Sequence, residues 1–208
     1  MYKIVLIGGG GHARVLIDLI NALRAYEILG IVDAGLGKGT EVSGVHVLGD
    51  DDLLPELYKK GVRHVCIGVG SIKDNGKRAS IYKKAVTLGF EVPALLHPRS
   101  LIAAGVKVFN GVQVMAGAII QTDTEIGENT IVNTGAIIEH DCQIGSHVHV
   151  CPGAIISGGC ALDEGAFIGA GATVVQGVKI GRKAVIAAGA VVIEDVSGGK
   201  TVRGVPAK

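Results

Sequence analysis

From Ile102 to Ser197 the sequence repeats every six residues, and this period limits the chain to very few folds. Counted in sixes from Ile102, all sixteen first places through Val192 are aliphatic, and all but Leu162 are β-branched. Every fifth place, from Val106 to Val196, is small or β-branched. The fourth place is Gly in ten sixes and Asp123, Asn129, Asp141 or Asp195 in four, so that only His147 and Lys183 break the rule. β-branched residues suit short pleated strands. Gly, Asn and Asp tolerate the left-handed backbone that a tight corner needs. One such unit cannot bury its apolar side alone, so units stack and share a core. The pattern therefore predicts a parallel β-helix. An unbroken register over sixteen units argues against a sandwich with Gly-rich turns.

Composition agrees with a narrow interior. Of 208 residues, 48% are apolar but only 3% aromatic, so the core has to be aliphatic. A net charge of +1 carries no nucleic-acid footprint. No apolar run approaches a membrane span, and Met1 leads directly into the strand-like Lys3–Ile7 without a signal-peptide layout. A cytoplasmic location is the expectation. Cys66, Cys142, Cys151 and Cys160 lack zinc-type spacing. Cys142 and Cys160 hold fifth places three sixes apart, and are expected to point inward as small core thiols.

Residues 1–97 read as a separate α/β domain, and residues 98–208 as the β-helix with its tail. Strands are expected at Lys3–Ile7, Ile28–Val32, His64–Val69 and Val92–Leu96, and a strand end at Val47–Gly49. Helices are expected over Ala13–Leu23, where apolar residues fall at helical spacing, and over Lys77–Leu88, closed by Gly89. Strands alternating with helices indicate a parallel sheet. His97-Pro98 marks the boundary, because proline holds its predecessor extended.

Three groups of residues carry possible chemistry. Gly8-Gly9-Gly10-Gly11-His12 follows a strand and opens a helix, an arrangement that lets a backbone approach a phosphate. Asp33 ends the second strand, where an acid can take ribose hydroxyls. Together they point to a nucleotide; NAD is the weaker choice, because no dehydrogenase domain follows. Gly199-Lys200-Thr201 imitates the end of a phosphate loop, but Glu194 stands where that motif needs its first glycine. In the repeat, His140 lies at a corner beside Asp141, which can hold its tautomer and raise its basicity. His140, His147 and His149 also allow a metal site of imidazoles, but the inward Val148 between the last two disfavours it, and no metal is expected.

The whole set resembles one family. The Gly-rich start with His12, Asp33, Gly68-Val69-Gly70, Leu96-His97-Pro98, Asn133-Thr134, Ile138-Glu139-His140-Asp141 and the Gly204–Lys208 ending occur in the order seen in bacterial sugar acetyltransferases of the PglD and NeuD type. The resemblance covers nearly the whole chain. It implies a Rossmann-like domain followed by a left-handed parallel β-helix, the hand being a property of the family. It implies transfer of acetyl from acetyl-CoA to a nucleotide-linked amino sugar, a 4-amino-4,6-dideoxy sugar in many members, for surface glycans, by a homotrimer. His140 corresponds to the general base and Asp141 to its supporting acid. His149 corresponds to a residue beside the acetyl group, and Gly158, Ala170 and Ala188 to positions along the CoA groove. Gly10, Gly11, His12, Asp33, Gly68, Gly70 and Asn133 correspond to the nucleotide-sugar site. Where members carry two consecutive acids after the second strand, this chain has Asp33-Ala34, which leaves the base open. A sugar O-acetyltransferase of the sialic-acid type and a β-helix metalloenzyme resembling carbonic anhydrase are the alternatives.

Overall fold

In a computed structural model that describes residues 1–208, the chain divides into two units. One comprises Met1–Ser71 with Lys77–Leu95, the other Ile72–Gly76 with Leu96–Lys208.

The first unit is an α/β fold of β1 (Tyr2–Ile7), α1 (Gly11–Leu23), β2 (Tyr26–Val32), β3 (Glu41–Val42), β4 (Val45–Gly49), α2 (Leu54–Lys59), β5 (His64–Ile67) and α3 (Gly76–Thr87). The sheet order is β3-β4-β2-β1-β5, parallel except for the β3–β4 hairpin. That hairpin lies within and after the Gly35–Gly44 stretch read from the sequence as connection. Alternation along β1 sends Val5 and Ile7 into a cluster with Val65, Ile67, Tyr82 and Ala85, and Ile4 and Leu6 to the other face. α1 buries Ala13, Leu16, Ile17, Leu19 and Ile20, the stripe that its spacing predicts.

The strand expected over Val92–Leu96 does not form. Glu91 makes a single bridge to His64, and the chain then leaves the sheet. Pro93 has no N–H to donate to a ladder. Leu95–Leu96 instead heads a face of the β-helix.

In the second unit each six contributes a two-residue strand and a corner. Three parallel sheets of six, five and seven strands result, and rungs pair residues eighteen apart, such as Ile119 with Ile137 and Glu125 with Gln143. The three sheets are the sides of a left-handed parallel β-helix. First-place residues from Val114 to Val192 are at most 3% exposed and fill the interior. Two inward threonines keep their hydroxyls bonded: Thr124 Oγ1 donates to the Glu139 carbonyl at 2.9 Å and Thr130 Oγ1 to that of Gly145 at 2.9 Å. Cys142 and Cys160 are buried free thiols that donate to the carbonyls of Ser157 (3.3 Å) and Val175 (3.2 Å).

The corners are left-handed even where the sequence breaks its own rule. His147 and Lys183 take φ 59° and 56°, alongside Asp141 at 59° and Gly159 at 67°. A non-glycine residue there costs about 1–2 kcal/mol, which the register of the surrounding coils outweighs. Asp195 is the real exception. It is not left-handed, and its Oδ1 accepts the Lys179 N–H at 2.8 Å as the last coil opens. Thr201–Val202 then adds one more rung against Val185–Ile186.

Candidate active site

His140 stands on the corner between the six-stranded and five-stranded sides. Four hydrogen bonds fix this corner from neighbouring coils. Asp141 N–H donates to the Thr122 carbonyl (3.1 Å), and Gly159 N–H donates to the His140 carbonyl (2.8 Å). From inside, Thr124 Oγ1 donates to the Glu139 carbonyl and accepts the Cys142 N–H at 3.2 Å. The imidazole itself is 51% exposed, so what is rigid is its attachment.

Nδ1 of His140 lies 2.7 Å from Oδ2 of Asp141. A carboxylate only accepts, so Nδ1 carries the proton and Nε2 keeps its lone pair. The hydrogen bond to Asp141 holds the imidazole above its ordinary pKa, with the charge of Asp141 adding to it and slight burial opposing it. The ring lies against Gly158: a Cβ built there would sit 2.6 Å from Cε1 and 2.7 Å from Nε2. Only a glycine leaves the imidazole its place. The coil ladder engages Ser157 N–H (to Val174, 3.0 Å) and Gly159 N–H, and does not engage the Gly158 N–H between them. A base with a neighbouring amide donor is the equipment of acyl transfer.

A second set lies on another edge, between the seven-stranded and six-stranded sides. Ala170 and Ala188 are exposed and stack on successive coils, with Gly189 N–H donating to the Ala170 carbonyl at 2.9 Å. Asn133 belongs to the same edge, and its Nδ2 lies 3.2 Å from Nε2 of His149. His149 is 6% exposed and meets Phe167 edge-on, with ring centroids 5.4 Å apart. The seven residues thus fall into two groups: His140, Asp141 and Gly158 on one edge, and Asn133, His149, Ala170 and Ala188 on or beside the other. Gly158 does not join the two alanines. A six-residue side separates the edges, on the order of 20 Å at the rise of a strand. His147 stands on the third edge, with Nδ1 3.0 Å from Asn129 Nδ2, so the three histidines do not converge.

The glycine loop, Asp33 and Gly68–Gly70 come together at the carboxyl ends of β1, β2 and β5. Gly68 N–H donates to the Ile7 carbonyl at 2.7 Å, and a Cβ on Gly68 would lie 2.3 Å from the Gly8 carbonyl oxygen. A Cβ on Gly70 would meet His12 at 3.2 Å. Gly10 and Gly11 have no atom within 4 Å of such a Cβ, and the Gly10 φ of −77° is open to any residue. Asp33 has a structural role beside the one its position suggests. Its Oδ2 accepts the Gly9 N–H (2.7 Å), and its Oδ1 accepts those of Gly35 (2.7 Å) and Leu36 (3.0 Å). Burial alone would raise its pKa; these three amides and the Lys77 charge outweigh it and hold the carboxyl below its usual range. With three of about four acceptor positions filled, Asp33 organises two loops first.

Sequence reading missed three residues around these sites. Thr124 shows in the sequence only as one more fifth-place residue. Arg78 is 2% exposed, and its Nη1 donates to the carbonyls of Ile67 (2.8 Å) and Val69 (3.0 Å), fixing the Gly68–Gly70 loop from behind. Lys77 lines a cleft at the strand ends with Gly8 and Asp33. The two cations sit in an ordinary amphipathic helix, where nothing local distinguishes them.

Known proteins share this order of domains. Residues 3–85 match the PglD N-terminal domain, residues 123–158 the bacterial transferase hexapeptide (six repeats), and residues 163–194 the hexapeptide repeat of succinyl-transferase. Comparison with curated protein sequences gives no match. Among solved structures, perosamine N-acetyltransferase from Caulobacter crescentus is 39% identical over 100% of this chain and 96% of its own, with a TM-score of 0.93. It was crystallised with CoA and GDP-perosamine as a mutant with one histidine replaced by asparagine. The acetyltransferase domain of PglB from Neisseria gonorrhoeae, in complex with acetyl coenzyme A, is 35% identical over 99% of this chain and 98% of its own, with a TM-score of 0.91. WeeI from Acinetobacter baumannii is 26% identical over 100% and 99%, with a TM-score of 0.89. Identity of this level across the full length, on the same two folds in the same order, shows that the chain belongs to the PglD-type hexapeptide transferases.

Proposed function

We propose that the protein transfers an acetyl group from acetyl-CoA to the amine of a nucleotide-linked amino sugar, of the 4-amino-4,6-dideoxy type, for surface-glycan assembly. The observation that carries this reading is the His140–Asp141 pair seated on Gly158, in a chain whose full-length relative binds CoA and GDP-perosamine. The neutral amine attacks the thioester carbonyl carbon. The C–N bond forms, Nε2 of His140 takes the amine proton, and the C–S bond breaks to release CoA, which leaves as the thiol once protonated. The Gly158 N–H is placed in this scheme as donor to the developing oxyanion. Replacing a general base costs about 10²–10⁴-fold in rate. His140→Ala should therefore lose that much kcat in a thiol-release assay with a nucleotide amino sugar; an unchanged kcat overturns the role. A panel that includes hydroxyl acceptors separates this reading from O-acetylation.

The same proposal makes the active unit a homotrimer. His140 and the Ala170–Ala188 edge are a whole side apart in one chain, so a site that uses both draws its two edges from adjacent copies. In this arrangement the pantetheine arm lies along the small residues Ala170 and Ala188, His149 and Asn133 face the reacting end, and Gly10, Gly11, His12 and Gly70 hold the sugar nucleotide. Light scattering should give three times the 21.2 kDa chain mass; a monomer at micromolar concentration rules this out.

A further inference from the structure

We infer that the cleft at the carboxyl ends of β1, β2 and β5 reads a guanine base, with Asp51 and Lys77 as the residues that select it. This rests on the nucleotide-sugar reading above and names the nucleotide.

The cleft holds about 160 Å³. Ile7, Val69 and Ile81 give it apolar walls, and its charged side chains are Asp33, Asp51 and Lys77. Asp33 is committed to the amides of Gly9, Gly35 and Leu36. The next position, Ala34, brings no acid. Asp51 differs from its neighbours. Asp50 caps the short helical turn Asp51–Leu53 by accepting the Asp52 N–H at 3.1 Å, whereas the Asp51 carboxylate enters no hydrogen bond or ion pair of the chain. Lys77, in the first turn of α3, is likewise unengaged, and its charge is felt at Asp33 across the cleft. The cleft therefore offers one free pair of parallel acceptors and one free cationic donor between apolar walls.

Base chemistry sorts itself against that pair. A carboxylate takes two neighbouring donors at once. Guanine presents N1–H and the 2-amino group side by side, with the O6 acceptor next to them. Uracil has a single N–H between two carbonyls, so a carboxylate that takes it also faces an oxygen. Adenine and cytosine each present a single donor group, the exocyclic amine, beside a ring-nitrogen acceptor. Only guanine satisfies the half-buried Asp51 with both donors and the exposed Lys77 with O6; every other base leaves at least one of these contacts unmade.

The test is calorimetric titration of the full chain with GDP, IDP and UDP, which share the diphosphate and differ in the base. IDP keeps O6 and N1–H but lacks the 2-amino group. GDP should bind about tenfold or more tightly than either, the scale of a bidentate base contact. Asp51→Asn should bring GDP and IDP to equal affinity. Lys77→Met should weaken both while preserving their ratio. Acetyl-CoA titration of each variant controls for folding. UDP binding as tightly as GDP, or a GDP:IDP ratio unchanged in Asp51→Asn, overturns the guanine assignment and leaves the transferase reading standing. If none of the three binds while acetyl-CoA still does, the nucleotide-sugar reading itself fails.

Discussion

The two glycine-rich regions of this chain use the same residue for different reasons. In the repeat, glycine answers to the fold. Gly159 sits at φ 67° because the corner turns there, and Gly158 lacks a side chain because the His140 ring fills the space. In the loop after β1, Gly8 answers to Val69, but Gly10 and Gly11 answer to nothing in the protein: ordinary backbone at Gly10, and no atom near a Cβ at either. A glycine that the fold does not require points to a partner outside the chain. The contrast separates residues that build a site from residues that leave room for its ligand.

A reciprocal pair of substitutions puts the contrast under strain. Gly158→Val drives a side chain into the imidazole and displaces the base, and a misplacement of about 1 Å can cost on the order of 10²-fold. kcat should fall by that order, with the KM for the sugar nucleotide little changed. Gly10→Val should leave folding and kcat near the parent values and raise the sugar-nucleotide KM by roughly tenfold, about 1.4 kcal/mol of lost binding. Steady-state kinetics on both variants decide it. If Gly10→Val unfolds the protein or Gly158→Val acts only on KM, the distinction is wrong.

A finer test concerns Asp141, a corner residue that serves fold and chemistry together. His140 must be neutral to accept a proton, so kcat/KM falls as pH drops through its pKa. The hydrogen bond that His140 donates to Asp141 raises that pKa, which moves the acid limb of the profile to higher pH. Asp141→Asn removes the charge and keeps a residue tolerant of φ 59°. The acid limb should shift to lower pH, toward the ordinary histidine range. An unmoved limb means that His140 does not set it.

The sequence made the β-helix legible because its information is local. Each six states its strand, its corner and its inward side, so sixteen weak signals reinforce one register. Corner conformation followed even at His147 and Lys183, where composition speaks against it, because a coil fixed above and below leaves a residue no alternative. The proximity of His140 and Asp141 was legible for the same reason. What stayed hidden depends on partners distant in the chain. Val92–Leu96 reads as a strand for the α/β sheet, yet Pro93 interrupts it and Leu95–Leu96 pairs with Gln113–Val114 instead. Asp33 reads from the sequence only as a strand-end acid, and the amides of Gly9, Gly35 and Leu36 that it organises do not show there. Gly158, Ala170 and Ala188 look alike as small residues in a repeat, and only the triangle of the coil puts them on different edges.

The segment Ile72–Gly76 belongs to the β-helix unit although its neighbours on both sides belong to the other. The Asn75 side-chain amide lies among the carbonyl oxygens of His147 (2.8 Å), Gly165 (3.2 Å) and Ala166 (3.2 Å), on two adjacent coils. No single cut can therefore divide this protein into its parts. A fragment ending at Leu95 would carry away a stitch that belongs to the other piece, and a fragment beginning at Leu96 would present those carbonyls without it. Whoever recombines such a chain with a foreign N-terminal module has to graft five residues from the middle of the old one along with it.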